Sequence, residues 1–363
     1  AKDEDDRRAT YLRYYNANLA AVHLDNALLL VRSGRSDTVA KVEELLLFGA
    51  IQRTAPDADA QPYQAAIISG LDRSWLKTWT ARLTGLLEDE RPYLARQHAA
   101  VDALFGARQE RAYAVAGART LHIRRPLLIR LPFSAQARTP LNIYFARRAN
   151  RPAGLALFDA LAAQARGSPW GRAMAACTSP HAKRAWLRGV GRQRGWEALP
   201  APDGAALHGL SLLCTGRDLA GRRYLRPADP GYELILIHSL LARCGMTPHV
   251  QCKSGLDRAL TMTATLSAAA LYARLRGAPL DPATVRRDAG DMSLLRWLFT
   301  GAANRLGADP IQRVRGVGAG AKWGVRGLGR ATHPVPAALY LPFDSAIGQR
   351  GRPSAFFSPG ETR

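Results

Sequence analysis

His249-Val250-Gln251-Cys252-Lys253-Ser254-Gly255-Leu256-Asp257-Arg258, with the apolar run behind it, decides how this 363-residue chain is read. The first residues suit the end of a buried strand, the middle a tight loop, and the last a helix start. Ser254 and Gly255 tolerate the backbone angles such a loop needs. A loop between a strand and a helix N-terminus gathers backbone N–H groups around one point. The helix dipole adds to their field, and the combination binds a phosphate. The same field favours a thiolate, which would make Cys252 a nucleophile near neutral pH. Arg258, six positions on, can hold two phosphoryl oxygens with its planar fork. The chemistry implied is metal-free hydrolysis of a phosphomonoester through a phosphocysteine.

The other cysteines serve as a control. Six positions beyond Cys177 lies Lys183, beyond Cys214 Ala220, and beyond Cys244 Val250. Cys252 alone has the arginine and the Ser-Gly loop. The competing reading is a buried structural cysteine beside a helix-capping Asp257.

At 363 residues the chain can bury a large core, as two domains or one elaborated one. Hydrophobic residues make up 47%, which argues against wholesale disorder. No apolar run reaches the roughly 18 residues of a membrane span. The start, Ala1-Lys2-Asp3-Glu4-Asp5-Asp6, has no initiator Met and is expected to be a trimmed end. The four cysteines form no C-x-x-C pair, which speaks against a zinc site and a disulfide framework. No cofactor or metal is expected.

The net charge of +22 calls for a polyanion: nucleic acid, an anionic membrane face or a phosphorylated substrate. The charge is unevenly placed. From Arg111 to Trp196 the only acid is Asp159, against sixteen Lys and Arg. From Pro310 to Phe343 there is none, while Arg313, Arg315, Lys322, Arg326 and Arg330 are present. An arginine-biased genome would explain Arg in place of Lys, but not the missing acids.

Two domains are expected, a helical N-terminal subdomain over 1–118 and a catalytic domain over 119–363. In the first, Val39 to Ile51, Ser74 to Leu87 and Arg91 to Phe105 are amphipathic runs, and Trp75, Trp79 and Tyr93 read as core. Beyond it, Leu121-His122-Ile123, Leu127 to Leu131 and Leu141 to Phe145 have strand character. Leu155 to Ala165 and Lys183 to Arg192 read as helices, and Pro200 to Gly204 as a loop. Leu207 to Thr215 reads as a possible strand and Asp218 to Pro230 as a polar loop. A helix follows over Tyr232 to Cys244, closed by Gly245, then the strand Pro248 to Gln251 and an Ala-rich helix from Asp257 to Arg276. Glycines alternate with basic residues between Gly316 and Gly329, as in a nucleic-acid-binding tail or an ordered loop near the site. Trp323 and Leu339 to Phe343 favour the loop.

Cys252-Lys253-Ser254-Gly255-Leu256-Asp257-Arg258 resembles the C-K-S-G-K-D-R loop of the inositol polyphosphate 4-phosphatase family. It is most similar to the bacterial secreted phosphoinositide phosphatase effectors of the SopB/IpgD/SidF type. Ile311-Gln312-Arg313 with Gly316, Gly318, Gly320 and Lys322 resembles that family's downstream glycine-rich segment. Leu141-Asn142-Ile143 resembles its short strand with an asparagine. The resemblance implies an α/β fold, with a cysteine-phosphatase-like core sheet flanked by helices. It also implies a phosphoinositide or inositol polyphosphate substrate, peripheral association with anionic membranes, and secretion from a bacterium into host cells.

Within that resemblance Cys252 would be the nucleophile and Arg258 the phosphate clamp. Asp257 would be the general acid, as the loop aspartate is in related myotubularin-like enzymes; the alternative for it is a helix-capping role. Lys253 would meet a further ring phosphate, or be an exposed loop lysine. Ser254, Gly255 and Leu256 would complete the cradle, and Arg313 and Lys322 could contact the headgroup. Asp218, Asp229 and Asp344 are alternative acids. Two residues depart from the pattern. Leu256 stands where the family has lysine, and Ala259 where a hydroxyl is usual. The first favours a less phosphorylated headgroup and the second a slower turnover. A catalytically weak phosphoinositide- or inositol-phosphate-binding module is therefore the second reading, with a protein tyrosine or dual-specificity phosphatase beside it. A nucleic-acid-binding protein ranks last, because RNP-type aromatics and zinc spacing are missing.

Overall fold

The computed structural model describes residues 38–53, 62–71, 90–115, 119–133, 140–224 and 230–251, and nine residues between Met262 and Gly277. The first elements are helix α1 (Val39–Arg53), strand β1 (Ala65–Ser69), helix α2 (Arg91–Phe105) and strand β2 (Glu110–Val115). Strands β3 (Arg119–Arg124) and β4 (Leu127–Arg130) follow, then helix α3 (Pro140–Gln164). Next come α4 (Pro169–Ala175), α5 (Pro180–Gln193), a 3-10 turn (Gly195–Ala198), α6 (Ala201–Thr215), α7 (Pro230–Arg243) and strand β5 (Thr247–Gln251).

Three strands form a parallel sheet in the order β4-β1-β5. All five residues of β1 are buried. Ala66 and Ile68 pack with Ile129 and Val250 into the larger core, against apolar residues of α3, α6 and α7. Ala65 and Ile67 face the other way, into a smaller core with Val42, Leu45 and Leu46 of α1 and Val101 and Leu104 of α2. The sheet is thus sandwiched between helices, and the fold is α/β. Strands β2 and β3 form a separate antiparallel pair. Tyr63 joins that pair to the sheet: its N–H donates to His122 O at 2.7 Å, and Arg124 N–H donates to Tyr63 O at 2.9 Å.

Burial on both faces explains why Ala65–Ser69 departs from the helical expectation for residues 1–118. Ala65–Ser69 is the central strand, and Glu110–Val115 is also a strand. A strand covered on both faces has no polar alternation to reveal it. Two expected strands are helices. Leu141–Phe145 opens α3 after Pro140, which suits a first helical turn. Asn142, Ile143 and Ala146 point inward at helical spacing, and Leu141, Tyr144 and Phe145 point out. Leu207–Thr215 is the body of α6, where every residue from Ala206 to Cys214 is buried. A helix buried all round reads as one apolar run. Pro200 to Gly204, expected as a loop, contains the start of that helix; Asp203 lies in its first turn and accepts from Arg243 Nε of α7 at 2.7 Å.

Tyr93, read as core, is only half-buried on α2, outside the buried face of Leu94, Val101 and Leu104. The other expected elements in described residues match. Val39–Ile51, Arg91–Phe105, Leu155–Gln164, Lys183–Arg192 and Tyr232–Arg243 lie in helices, and Leu121–Ile123, Leu127–Arg130 and Pro248–Gln251 in strands. Gly245 adopts φ +68 after α7, as a helix-ending glycine does. Ser74–Leu87, Trp75 and Trp79 lie outside the described residues. No described helix is long and apolar enough to cross a membrane.

Two packing details fix the layers. The Asn150 amide of α3 bonds the outward backbone groups of Arg130, accepting from N–H at 2.7 Å and donating to O at 2.7 Å. At the centre of α6, a Cβ on Gly209 would lie 2.2 Å from Leu236 O of α7. The two helices touch there because no side chain intervenes. Gly209→Ala should therefore lower the unfolding free energy by about 3 kcal/mol, read as a drop in urea midpoint. An unchanged midpoint would contradict the contact.

Candidate active-site edge of the sheet

In parallel sheets the ligand edge is the one where strands end. Here Ser69, Arg130 and Gln251 end β1, β4 and β5 at the same edge, because β1 pairs Ser69 with both of the others. The ladder continues one step: Leu131 N–H donates to Ser69 O at 2.8 Å, and Gly70 N–H donates to Gln251 O at 2.8 Å. The last bond holds the carbonyl of the peptide that leads into Cys252. A Cβ on Gly70 would lie 3.1 Å from Met262 Sδ and 3.3 Å from Gln251 O, so this approach favours glycine. Met262, Leu266, Ala269 and Tyr272 belong to the larger core at helical spacing. The chain thus leaves a buried strand at Gln251 and is helical again, packed on the sheet, by Met262.

Cys252, Lys253, Ser254, Gly255, Leu256, Asp257 and Arg258 lie between those two points, outside the described residues, as do Arg313, Lys322, Asp229 and Asp344. What the structure supplies is the strand end that precedes Cys252. Four side chains there were not singled out from the sequence. Gln97 of α2 donates through Nε2 to Gln251 Oε1 at 2.6 Å, with both residues buried. Arg130 Nη2 lies 2.9 Å from His98 Nε2. Burial, reinforced by the Arg130 charge, lowers the His98 pKa, so neutral His98 accepts this bond. Ser69 Oγ is buried with no hydrogen-bond partner among the described residues. The only sequence signal for these residues is polar character at the ends of apolar runs.

Asp218 was an alternative proton donor, and the structure removes it. Its carboxylate is buried at the turn after α6, accepting from Arg222 N–H and Nε, both at 2.8 Å, and from Tyr224 OH at 3.0 Å. Its Oδ2 also lies 3.7 Å from His208 Nδ1. Burial alone would raise its pKa, but His208 and Arg222 outweigh burial and hold it below the ordinary carboxylate range. It stays ionised near neutral pH and fastens a turn. Asn142, compared above with a strand asparagine, is on α3 and buried. His122, expected to be a satisfied residue of the apolar run, bonds Glu110 Oε1 through Nδ1 at 2.8 Å.

The three described cysteines are poor nucleophiles. Burial pushes the Cys214 and Cys244 thiols up to about 12, and raises Cys177 as well. Among the described residues no group of three His, Cys, Asp or Glu converges as a metal site would. The sequence matches no known family model and no curated protein.

Asp218→Asn should destabilise the fold by about 2 kcal/mol at pH 7, since Arg222 would lose a buried partner but keeps some solvent. A lowered carboxylate pKa contributes stability that is complete above about pH 4, the unfolded value, and is lost as pH falls through the folded one. The gap between wild type and variant in urea titrations should therefore narrow below pH 4. A gap constant from pH 7 to pH 2 would contradict the ionised assignment.

Proposed function

We propose that this chain is a cysteine-dependent phosphatase of inositol-ring phosphomonoesters, acting on phosphoinositide headgroups. In this reading its sheet is the core of a cysteine-phosphatase-like fold. The observation that carries the proposal is the exit of β5: a buried parallel strand ends at Gln251, clamped by Gly70, and the C-K-S-G-L-D-R loop begins at the next residue. The described helical, core-packed residues Met262, Leu266, Ala269 and Tyr272 support a strand–loop–helix frame of the kind that gathers N–H groups on a phosphate.

The step proceeds in two halves. The Cys252 thiolate attacks phosphorus, the bond from phosphorus to the inositol oxygen breaks, and Asp257 gives that oxygen its proton. Water then attacks the phosphocysteine, the P–S bond breaks, inorganic phosphate leaves, and Asp257 recovers a proton from the water. Arg258 holds the equatorial oxygens throughout. The charge of +22 supports peripheral attraction to an anionic membrane. By the same resemblance, the setting is that of a bacterial effector acting on host membranes. The weak-catalyst, binding-module reading is favoured by Leu256 and Ala259 alone.

Phosphate release from a panel of phosphoinositides and inositol phosphates is expected for wild type and abolished in Cys252→Ser. Equal release by the variant would sink the mechanism. Release from none of the panel, with retained binding, would favour the module.

Thiol chemistry provides an independent check. A thiol with a pKa of about 12 is ionised to roughly one part in 10⁵ at pH 7. Iodoacetamide at that pH should therefore label Cys252 far faster than Cys214 or Cys244, and in a Cys177→Ser background the fast equivalent should be missing in Cys252→Ser. Fast labelling that survives the substitution would contradict it.

A further inference from the structure

Helix α5 carries His181, Arg184, Arg188 and Arg192 at spacings of three, four and four, on one face. Lys183 and Leu187 turn inward. Lys183 Nζ bonds Asp159 at 2.5 and 2.6 Å, so the only acid between Arg111 and Trp196 is already committed. The arginine face borders a cleft of about 1440 Å³. Its other walls are Arg151 of α3, Arg194 and Trp196 near the 3-10 turn, and the turn carrying Arg217 and Arg222 after α6. Gly191 lets the walls meet, since a Cβ there would lie 2.6 Å from Leu219 O.

Two acids line this cleft, and both are occupied. Asp218 holds Arg222, and Glu197 lies 4.0 Å from Arg194. Arg151, Arg184, Arg188, Arg192 and Arg217 have no carboxylate partner among the described residues. Like charges four apart on a helix destabilise it, so this row is retained against the stability of α5. Trp196 adds a buried indole N–H with no acceptor among the described residues, its ring held edge-on to His208 at 4.4 Å. Guanidinium forks, one spare donor and a concave floor suit several phosphoryl groups on a small body. A flat bilayer does not reach a floor that includes Ser211 and Cys214.

We infer that this cleft binds a multiply phosphorylated small molecule. Its described lining comes from helices and turns, with no residue of the sheet edge, so the inference stands whatever the fate of the Cys252 reading.

Calorimetric titration of the full chain with tripolyphosphate and with inositol hexakisphosphate tests it. Saturable binding is expected, weakening with salt. It should fall at least about tenfold in Arg188→Ala/Arg192→Ala, where two charged hydrogen-bond donors are lost, and persist in Arg258→Ala. The double variant without ligand should melt no lower than wild type, because repulsion is relieved. The phosphate probes should raise the melting temperature of wild type and of Arg258→Ala, and that of the double variant by less at the same concentration. No saturable binding at millimolar ligand would overturn the inference, as would binding indifferent to the double variant or lost in Arg258→Ala. Displacement of the probe by a ten-nucleotide single strand or by phosphatidylserine vesicles at lower concentration would overturn it in favour of a macromolecular surface.

Discussion

Five residues, Ala65 to Ser69, must be covered on both faces and bonded along both edges, and the described structure follows from that constraint. Alternate side chains enter two separate cores, so helices are needed on each side. Both edges are bonded in parallel, so β4 and β5 end where β1 ends. Gly70, at the end of that strand, fixes the carbonyl from which the phosphate-binding loop would start. The edge is therefore a product of core packing.

Charge is handled differently at different depths. Where cations are buried or half-buried, an acid is committed to them: Asp159 to Lys183 and Asp218 to Arg222. On the outer rim of α5 the arginines have no such partners among the described residues. Acids were thus placed where desolvation demands them, and the surplus positive charge collects in one concave place. Cysteines divide in a comparable way: Cys214 and Cys244 are held as thiols by apolar surroundings.

Elements with a polar face or a punctuating residue were legible in the sequence. Lys183 to Arg192 shows its helical period, and Tyr232 to Cys244 ends on Gly245. Elements without a polar face were not: β1 and α6 are wrapped completely, and an apolar run carries no period to distinguish strand from helix. Leu141 to Phe145 misled for another reason. Its β-type residues follow a proline that can open either element, and packing of Asn142 and Ile143 decided for the helix. The Cys252-to-Arg258 spacing is visible in the sequence, though those residues lie outside the described ones. Gln97 and His98 could not be read there, since only the tertiary fold brings them beside Gln251 and Arg130. The arginine row on α5 had a signal, four-residue spacing within an acid-poor stretch, that charge counting alone did not resolve into a face.

The Asn150 amide also has a consequence for the protein in crowded solution. It occupies the outward N–H and C=O of Arg130, the groups through which a foreign strand would attach along β4. On the opposite flank, residues 247, 249 and 251 turn their backbone groups to β1, so the outward positions are Pro248, without an N–H to offer, and Val250. A short sheet of apolar parallel strands is a template for runaway cross-chain pairing. Here one side-chain amide and one imino acid interrupt the ladder that the described outer strands could offer a foreign strand, without adding a single charge.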